Sequence, residues 1–250
     1  MTPRSTTRLR HGTSGFAYTQ WKGSFYPVDL AASRMLAFYA SRFPAVEINN
    51  TFYRIPRENV LRHWATQVPA DFVFILKASR WITHMKRLAD AAEPLTFLLD
   101  NSAMLGSARG PFLFQLPPAM KPDVQRLADF LALVPGGVRT AFEFRNPAWH
   151  DDHVFTVLAD AGAALVIADS ADLSTPRAST TSWGYLRLRR ESYSDTDLAD
   201  WAAWIHDREW SDAFTFFKHE DGATGPRLAH RFESIFGATR ADPPLDPSER

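Results

Sequence analysis

The sequence contains no cysteine in its 250 residues. Disulfides, thiolate metal sites and cysteine nucleophiles are therefore excluded. The chain also has no excess charge of either sign, because 28 Lys and Arg residues balance 28 Asp and Glu residues. Proteins that coat nucleic acid usually carry a basic excess that neutralises phosphates, so the neutral balance disfavours that class without excluding a local basic patch.

Long apolar runs are absent as well. The longest such run, Ala161 to Ala168, is far below the roughly 20 residues that a membrane helix needs. The N-terminal residues MTPRSTTRLRH lack the apolar core of a secretory signal. We therefore expect no membrane partner and a cytoplasmic location. The sequence does not determine an oligomeric state.

Short apolar runs instead alternate with longer amphipathic segments. The runs are rich in Val, Ile and Phe, as buried parallel strands are, and the segments between them carry apolar residues at helical spacing. The eight strand-like runs are Leu9–Ser14, Ala45–Asn49, Phe72–Lys77, Phe112–Leu116, Thr140–Arg145, Ala164–Asp169, Gly184–Leu188 and Phe214–His219. The helical segments are Ala31–Arg42, Pro56–Val68, Asp123–Leu133, Asp152–Ala161, Asp195–Ile205 and Pro226–Phe236. This order predicts an α/β fold, a TIM-type (β/α)8 barrel.

Two details refine this prediction. The connection Ser170–Ser182 is polar with little helical pattern, so we expect one irregular βα unit after the sixth strand. An open doubly wound sheet would need a glycine-rich phosphate turn after its first strand, and GTSG at Gly12–Gly15 is too short for one. We expect one domain over residues 1–240 and a frayed tail over residues 241–250, which contain three prolines.

Polar residues stand at the ends of the predicted strands, where such barrels build their active sites. They are Glu47, Asn49 and Tyr53 after the second strand, Lys77, Arg80 and His84 after the third, Gln115 in the fourth, Glu143 and Arg145 in the fifth, Asp169 in the sixth, Arg187 in the seventh and Lys218 in the eighth. An unpaired charge inside an apolar run is costly, so these residues are expected to converge on one another, on water or on a ligand. A purely structural salt-bridge network is the alternative. Arg189 and His219 are expected to meet solvent.

The first loop is rich in aromatic residues. It reads GFAYTQWKGSFYP from Gly15 to Pro27. Most of these rings are expected to pack in the core beneath a loop that covers the barrel. Tyr18 and Trp21 can also line a pocket and place a hydroxyl or an indole N–H in it. We include both among the substrate-binding candidates.

These residues favour an enzyme that acts on a small anionic substrate bearing a phosphate or a carboxylate. Cations from several strands would bind the anion. Glu47, Glu143 and Lys77 are the candidate acid–base groups of a hydrolase- or lyase-type reaction, and the remaining strand-end residues would bind substrate. We expect no organic cofactor and no metal. A glycosidase with paired carboxylates is a variant of this hypothesis.

Two other classes stay open. A metal-dependent nuclease would draw its ligands from Glu47, His84, Glu143 and Asp169, although Lys77 and Arg145 among them would repel a cation. A non-catalytic module would use the same cations to capture an anionic metabolite or the backbone of a nucleic acid.

Six segments in order along the chain resemble a known family. They are GTSGFAYTQWKGSFYP (Gly12–Pro27), VEINNTFYRIP (Val46–Pro56), FILKASRWITH (Phe74–His84), GPFLFQLPP (Gly110–Pro118), FEFRNPAW (Phe142–Trp149) and YLRLRR (Tyr185–Arg190). Together they resemble the domain of unknown function 72, the YecE-like family. The resemblance implies a TIM-like barrel but no reaction. The chain departs from the family where Phe16 replaces a frequent Trp, and where Arg189-Arg190 replaces a frequent His-Gly.

Overall fold

The computed structural model of the chain describes residues 7–218 and 221–239. Eight parallel strands form one sheet in the order β1-β8-β7-β6-β5-β4-β3-β2. They are β1 (Arg8–Thr13), β2 (Ala45–Ile48), β3 (Val73–Lys77), β4 (Arg109–Leu116), β5 (Thr140–Phe144), β6 (Ala164–Asp169), β7 (Gly184–Leu188) and β8 (Asp212–Phe217). The predicted TIM-type barrel is confirmed. His219, the predicted end of the eighth strand, and the predicted tail lie outside the described residues.

Helices cover the outside of the sheet. They are α1 (Met35–Ala40), α2 (Glu58–Thr66), α3 (Ala92–Ser102), α4 (Val124–Ala132), α5 (Asp152–Asp160), α6 (Asp195–His206) and α7 (Thr224–Thr239). Sequence reasoning missed α3, which contains Pro94. Because Pro94 lies in the first turn, where the backbone N–H groups have no helical partner, it does not break the helix.

The unit after β6 is irregular, as predicted. Residues 170–183, which the structure describes throughout, contain no helix. The Thr180 hydroxyl fastens this segment to the start of β6 by donating to the carbonyl of Ala163 at 2.7 Å and accepting from the N–H of Leu165 at 2.9 Å. Side-chain bonds to the backbone thus replace the packing that a helix would supply.

The barrel interior is apolar in the middle and charged at both ends. Ala45, Ile75, Leu113, Tyr185 and Phe214 belong to one buried cluster inside the sheet. At the amino end of the strands, Asp212 binds three arginines, two from β1 and one that directly precedes β5: Arg8 at 2.8 Å, Arg10 at 3.6 Å and Arg139 at 3.0 Å. The charged layer at the carboxyl end is the candidate site.

The barrel closes at a seam between β1 and β2. One backbone bridge joins Ser14 to Glu47 there. The Tyr39 hydroxyl, which is fully buried, accepts a hydrogen bond from the N–H of Thr13 at 2.7 Å and donates one to the carbonyl of Ala45 at 3.1 Å. A side chain therefore satisfies backbone groups that a continuous ladder would otherwise pair.

Replacing Tyr39 by Phe tests this seam. The N–H of Thr13 and the carbonyl of Ala45 would lose their partner inside the protein, so we expect a loss of about 1–3 kcal/mol in the free energy of unfolding. Urea denaturation measures it. The matched control is Tyr53→Phe at a side chain that is 72% exposed, where we expect a change within about 0.5 kcal/mol. Equal effects of the two substitutions would contradict the role assigned to Tyr39.

Candidate functional site

One guanidinium lies at the centre of the carboxyl end of the barrel. Arg187 follows Tyr185 by two residues on β7, so both side chains point into the barrel, and Arg187 is only 1% exposed. Its Nη2 donates to Glu47 Oε1 on β2 at 2.8 Å, and its Nη1 donates to Glu143 Oε2 on β5. Three residues predicted from separate segments therefore form one buried bridge.

Glu47 is held by four donors. Besides Arg187, it accepts hydrogen bonds from the Tyr185 hydroxyl at 2.7 Å, the Ser14 hydroxyl at 2.8 Å and Asn49 Nδ2 at 3.1 Å. Burial alone would raise the pKa of Glu47, but Arg187 and these donors lower it to about 2. The carboxylate therefore stays ionised at neutral pH and fixes the position of Arg187.

A second chain of contacts leads to Lys77. Gln115 donates from Nε2 to Glu143 Oε1 at 2.6 Å and accepts from Lys77 Nζ at Oε1 at 2.8 Å. Burial, and then the positive charge of Arg187, lowers the pKa of Lys77 to about 8. Glu143 has a lowered pKa because the attraction of Arg187 outweighs its burial. Lys77 is thus the group in this layer whose charge can change near neutral pH.

Above this layer opens a cleft of about 670 Å³. Predicted residues Glu143, Arg145 and Lys218 line it, together with Arg189 and Arg190. The side chains of Arg145 and Arg189 make no hydrogen bond or ion pair within the described part of the chain. Burial and the neighbouring Arg187 lower the pKa of Arg189, so that this cation lies where its charge is poorly compensated.

Arg189, expected to meet solvent, is half-buried and lines the cleft, and it was not among the predicted site residues. The signal was present in the sequence. Arg189 follows Arg187 by two residues, and side chains at this spacing leave a strand on the same face. Arg190 also lines the cleft, but unlike Arg189 it pairs with a carboxylate, predicted residue Asp169 at 2.9 Å.

The loops after β2 and β3 bring a second group of predicted residues together. The Phe52 ring contacts two of these residues. Its centroid is 4.3 Å from Lys77 Nζ and 4.9 Å from the centroid of the His84 ring. Burial, and then Lys77 and Arg145, lowers the pKa of His84. Arg80 stands 6.0 Å over the ring of Tyr53. These residues continue the cationic surface from the cleft towards β3.

The two aromatic residues predicted from the first loop do not line the cleft. Trp21 is 1% exposed and packs against the rings of Phe25 and Tyr26. Tyr18 donates from its hydroxyl to the carbonyl of Ser14 at 2.7 Å, and its ring centroid is 4.7 Å from that of Trp21. These contacts pack the first loop against itself.

The residues considered as metal ligands do not gather. Within residues 7–218 and 221–239, no group of three or more His, Asp or Glu side chains is arranged to hold a metal ion. Arg187 bridges the two central carboxylates, Glu47 and Glu143, and Asp169 binds Arg190 and the Tyr193 hydroxyl. In the same described ranges, no helix is long and apolar enough to cross a membrane.

Comparison with known proteins assigns the chain to a family. The sequence profile of the family described as "Protein of unknown function DUF72" matches residues 10–250. Over 110 residues the chain is 32% identical to the UPF0759 protein YecE of Escherichia coli K12, and this match covers 44% of the chain and 40% of YecE. Over 135 residues it is 32% identical to the UPF0759 protein YunF of Bacillus subtilis, covering 50% of the chain and 48% of YunF. The matches thus span less than half the length of either relative.

Solved structures show the same fold. A DUF72 family protein of Thermotoga maritima superposes with a TM-score of 0.79 at 23% identity, covering 94% of this chain and 100% of that one. A DUF72 family protein of Enterococcus faecalis gives a TM-score of 0.75 at 18% identity, covering 95% and 97%. At these identities the likeness concerns the barrel and not its chemistry.

Replacing Arg187 by Met is expected to destabilise the protein by about 3–5 kcal/mol, because two buried carboxylates lose their counter-charge. Burial would then raise the folded-state pKa of both carboxyl groups above the unfolded value of 4.5. The deficit should therefore grow as the pH rises above 4.5, and it should become small only as the pH falls towards 2. In the native protein, stability changes with pH in the opposite direction. The lowered pKa of Glu47 adds stability above pH 4.5, and this stability disappears as the pH falls towards 2.

Denaturant unfolding of both proteins at several pH values measures this difference. The matched control is Arg231→Met, which breaks an exposed ion pair with Asp195 and should change little. A deficit that is independent of pH would refute the account of the buried bridge.

Lys77 is expected to lose its proton with a midpoint near pH 8. Competitive labelling of amines at increasing pH, with the other lysines as internal references, measures this midpoint. In a Glu143→Gln variant the midpoint should fall further, because the negative charge of Glu143 raises the pKa of Lys77. Glu191→Gln, at an exposed position of the same cleft, is the control and should leave the midpoint unchanged. An unchanged midpoint in Glu143→Gln would show that the two groups are not coupled.

Proposed function

The chain belongs to the DUF72 family, and we propose that in this member the cleft at the carboxyl end of the barrel binds a small anionic substrate and transforms it by acid–base chemistry. The substrate carries a phosphate or a carboxylate. The observation that carries the proposal is the set of cations around the cleft. Arg145, Arg189, Arg190 and Lys218 line it against the carboxylates of Glu143, Asp172 and Glu191, and Arg145 and Arg189 form no ion pair within residues 7–218 and 221–239.

The charge balance of the two layers supports an anionic ligand. In the buried layer, both carboxylates bind Arg187 and are neutralised in part by it. They also attract Arg189, but burial and the charge of Arg187 outweigh this attraction and leave the pKa of Arg189 lowered. A phosphate or carboxylate in the cleft would supply the missing negative charge and accept the paired N–H donors of a guanidinium, which suit such oxyanions in geometry.

The acid–base part of the proposal rests on Lys77 and Glu143. A pKa of about 8 leaves a fraction of Lys77 neutral at physiological pH, which a general base requires. Glu143 lines the cleft, whereas Glu47 is fully buried beneath it. We assign Lys77 to proton transfer, Glu143 to a carboxylate that faces the substrate, and Glu47 to the positioning of Arg187.

Titration with inorganic phosphate at low ionic strength tests the binding step. Calorimetry should show binding, with a Kd that rises about tenfold or more when Arg145 or Arg189 is replaced by Ala, because each variant loses a charge-assisted hydrogen bond. Arg62→Ala, on the exposed side of α2, is the matched control and should leave the Kd unchanged.

The thermal midpoint of each variant shows whether it is folded. Absence of phosphate binding by the native chain would reject the proposal. The proposal also fails if the Arg145 and Arg189 variants bind phosphate as tightly as the native chain does.

A further inference from the structure

A groove of about 1110 Å³ lies between the loops after β2 and β3 and helix α3. Six large hydrophobic side chains are exposed in the described part of the chain, and three of them line this groove: Tyr53 at 72%, Trp81 at 51% and Phe97 at 59% exposure. A fourth, Met85, ends the turn that begins at Trp81. Large apolar side chains gathered in one concave surface are typical of a binding site.

The backbone that presents Trp81 is unusual. Residues Trp81–Met85 form a turn of π-helix, a geometry found often at functional sites. Immediately after it, three residues that are not glycine adopt left-handed backbone angles, with φ of 48° at Arg87, 69° at Leu88 and 45° at Asp90. Such angles are strained for side chains with a Cβ and persist where the surrounding structure imposes them.

Packing holds this segment in place. Leu88 is 3% exposed, and its N–H donates to the carbonyl of Ile82 at 3.0 Å. The buried side chains of Ile82 and Leu88 anchor the segment in the core, while Trp81 between the β3 loop and α3 is left half exposed. The segment is thus anchored by its buried neighbours and leaves the Trp81 ring on the surface, where exposure of apolar area is unfavourable.

One aromatic ring joins the groove to the charged layer beneath the cleft. The Phe52 ring centroid is 5.1 Å from that of Tyr53, which lines the groove, and 4.3 Å from Lys77 Nζ. The charge of Lys77 in turn interacts with that of Arg189, which lines the cleft. A ligand that passes the Phe52 ring would therefore place an anionic group near Lys77 and a ring on Tyr53.

We propose that this groove binds the flat apolar part of the substrate, so that the substrate is a small amphiphilic anion with an aromatic ring joined to a phosphate or a carboxylate. Tyr53, Trp81 and Phe97 offer the faces and edges on which a ring stacks. The inference rests on the proposed function, because the cleft must hold the anionic group. It assigns a binding role to Trp81 and Phe97, which the anion-binding cleft alone does not require.

Calorimetric titration with two probes, inorganic phosphate and naphthyl phosphate, tests the inference. Naphthyl phosphate should bind the native chain about tenfold more tightly than inorganic phosphate. Trp81→Ala should remove this advantage and leave the Kd for inorganic phosphate unchanged, while Trp81→Phe, which keeps a ring, should retain most of it. Leu133→Ala, at an exposed apolar residue outside the groove, is the matched control and should have no effect on either probe.

The outcomes separate the two proposals. Equal affinity for the two probes, or an advantage of naphthyl phosphate that persists in both Trp81→Ala and Phe97→Ala, would overturn the groove while the anion-binding cleft stands. Failure of the native chain to bind inorganic phosphate would overturn the cleft, and the inference would fall with it.

Discussion

The structure of this barrel end depends on one buried guanidinium. Arg187 reaches from β7 to a carboxylate on β2 and another on β5, and all three residues are at most 2% exposed. A charge removed from water to this extent is tolerated only when its partners are close and well oriented. The bridge therefore fixes the relative positions of three strands, no two of which are neighbours in the sheet order.

This constraint determines how charge is distributed in the layer above. Glu47 and Glu143 both form ion pairs with Arg187. Two further cations, Arg145 after β5 and Arg189 after β7, therefore form no ion pair with a carboxylate in the described part of the chain. Arg187 also repels Lys77 and contributes to its lowered pKa. A single ion-pair network thus accounts for a cationic cleft and for a lysine that can exchange its proton near neutral pH.

The same network contributes to closure of the barrel. Glu47 binds the hydroxyl of Ser14, and these two residues form the backbone bridge at the seam between β1 and β2. The Tyr39 hydroxyl completes the seam one step nearer the amino end. The charged layer and the closure of the barrel therefore share Glu47. A substitution of Glu47 is expected to lower the free energy of unfolding as well as to change the geometry around Arg187.

By itself, the sequence determined the order of strands and the face on which their polar residues lie. Apolar runs alternating with amphipathic segments specified the barrel, and the spacing of two residues from Glu47 to Asn49 and from Glu143 to Arg145 predicted a shared face, because side chains alternate along a strand. Pairing was decided only by the tertiary structure. Three features depend on distances between segments that are remote in sequence. They are the choice of carboxylates that bind Arg187, the position of Gln115 between Lys77 and Glu143, and the burial of Trp21 in the core while Trp81 lines a groove. Local periodicity carries no information on those distances, since strand register and loop conformation set them through the packing of the whole barrel.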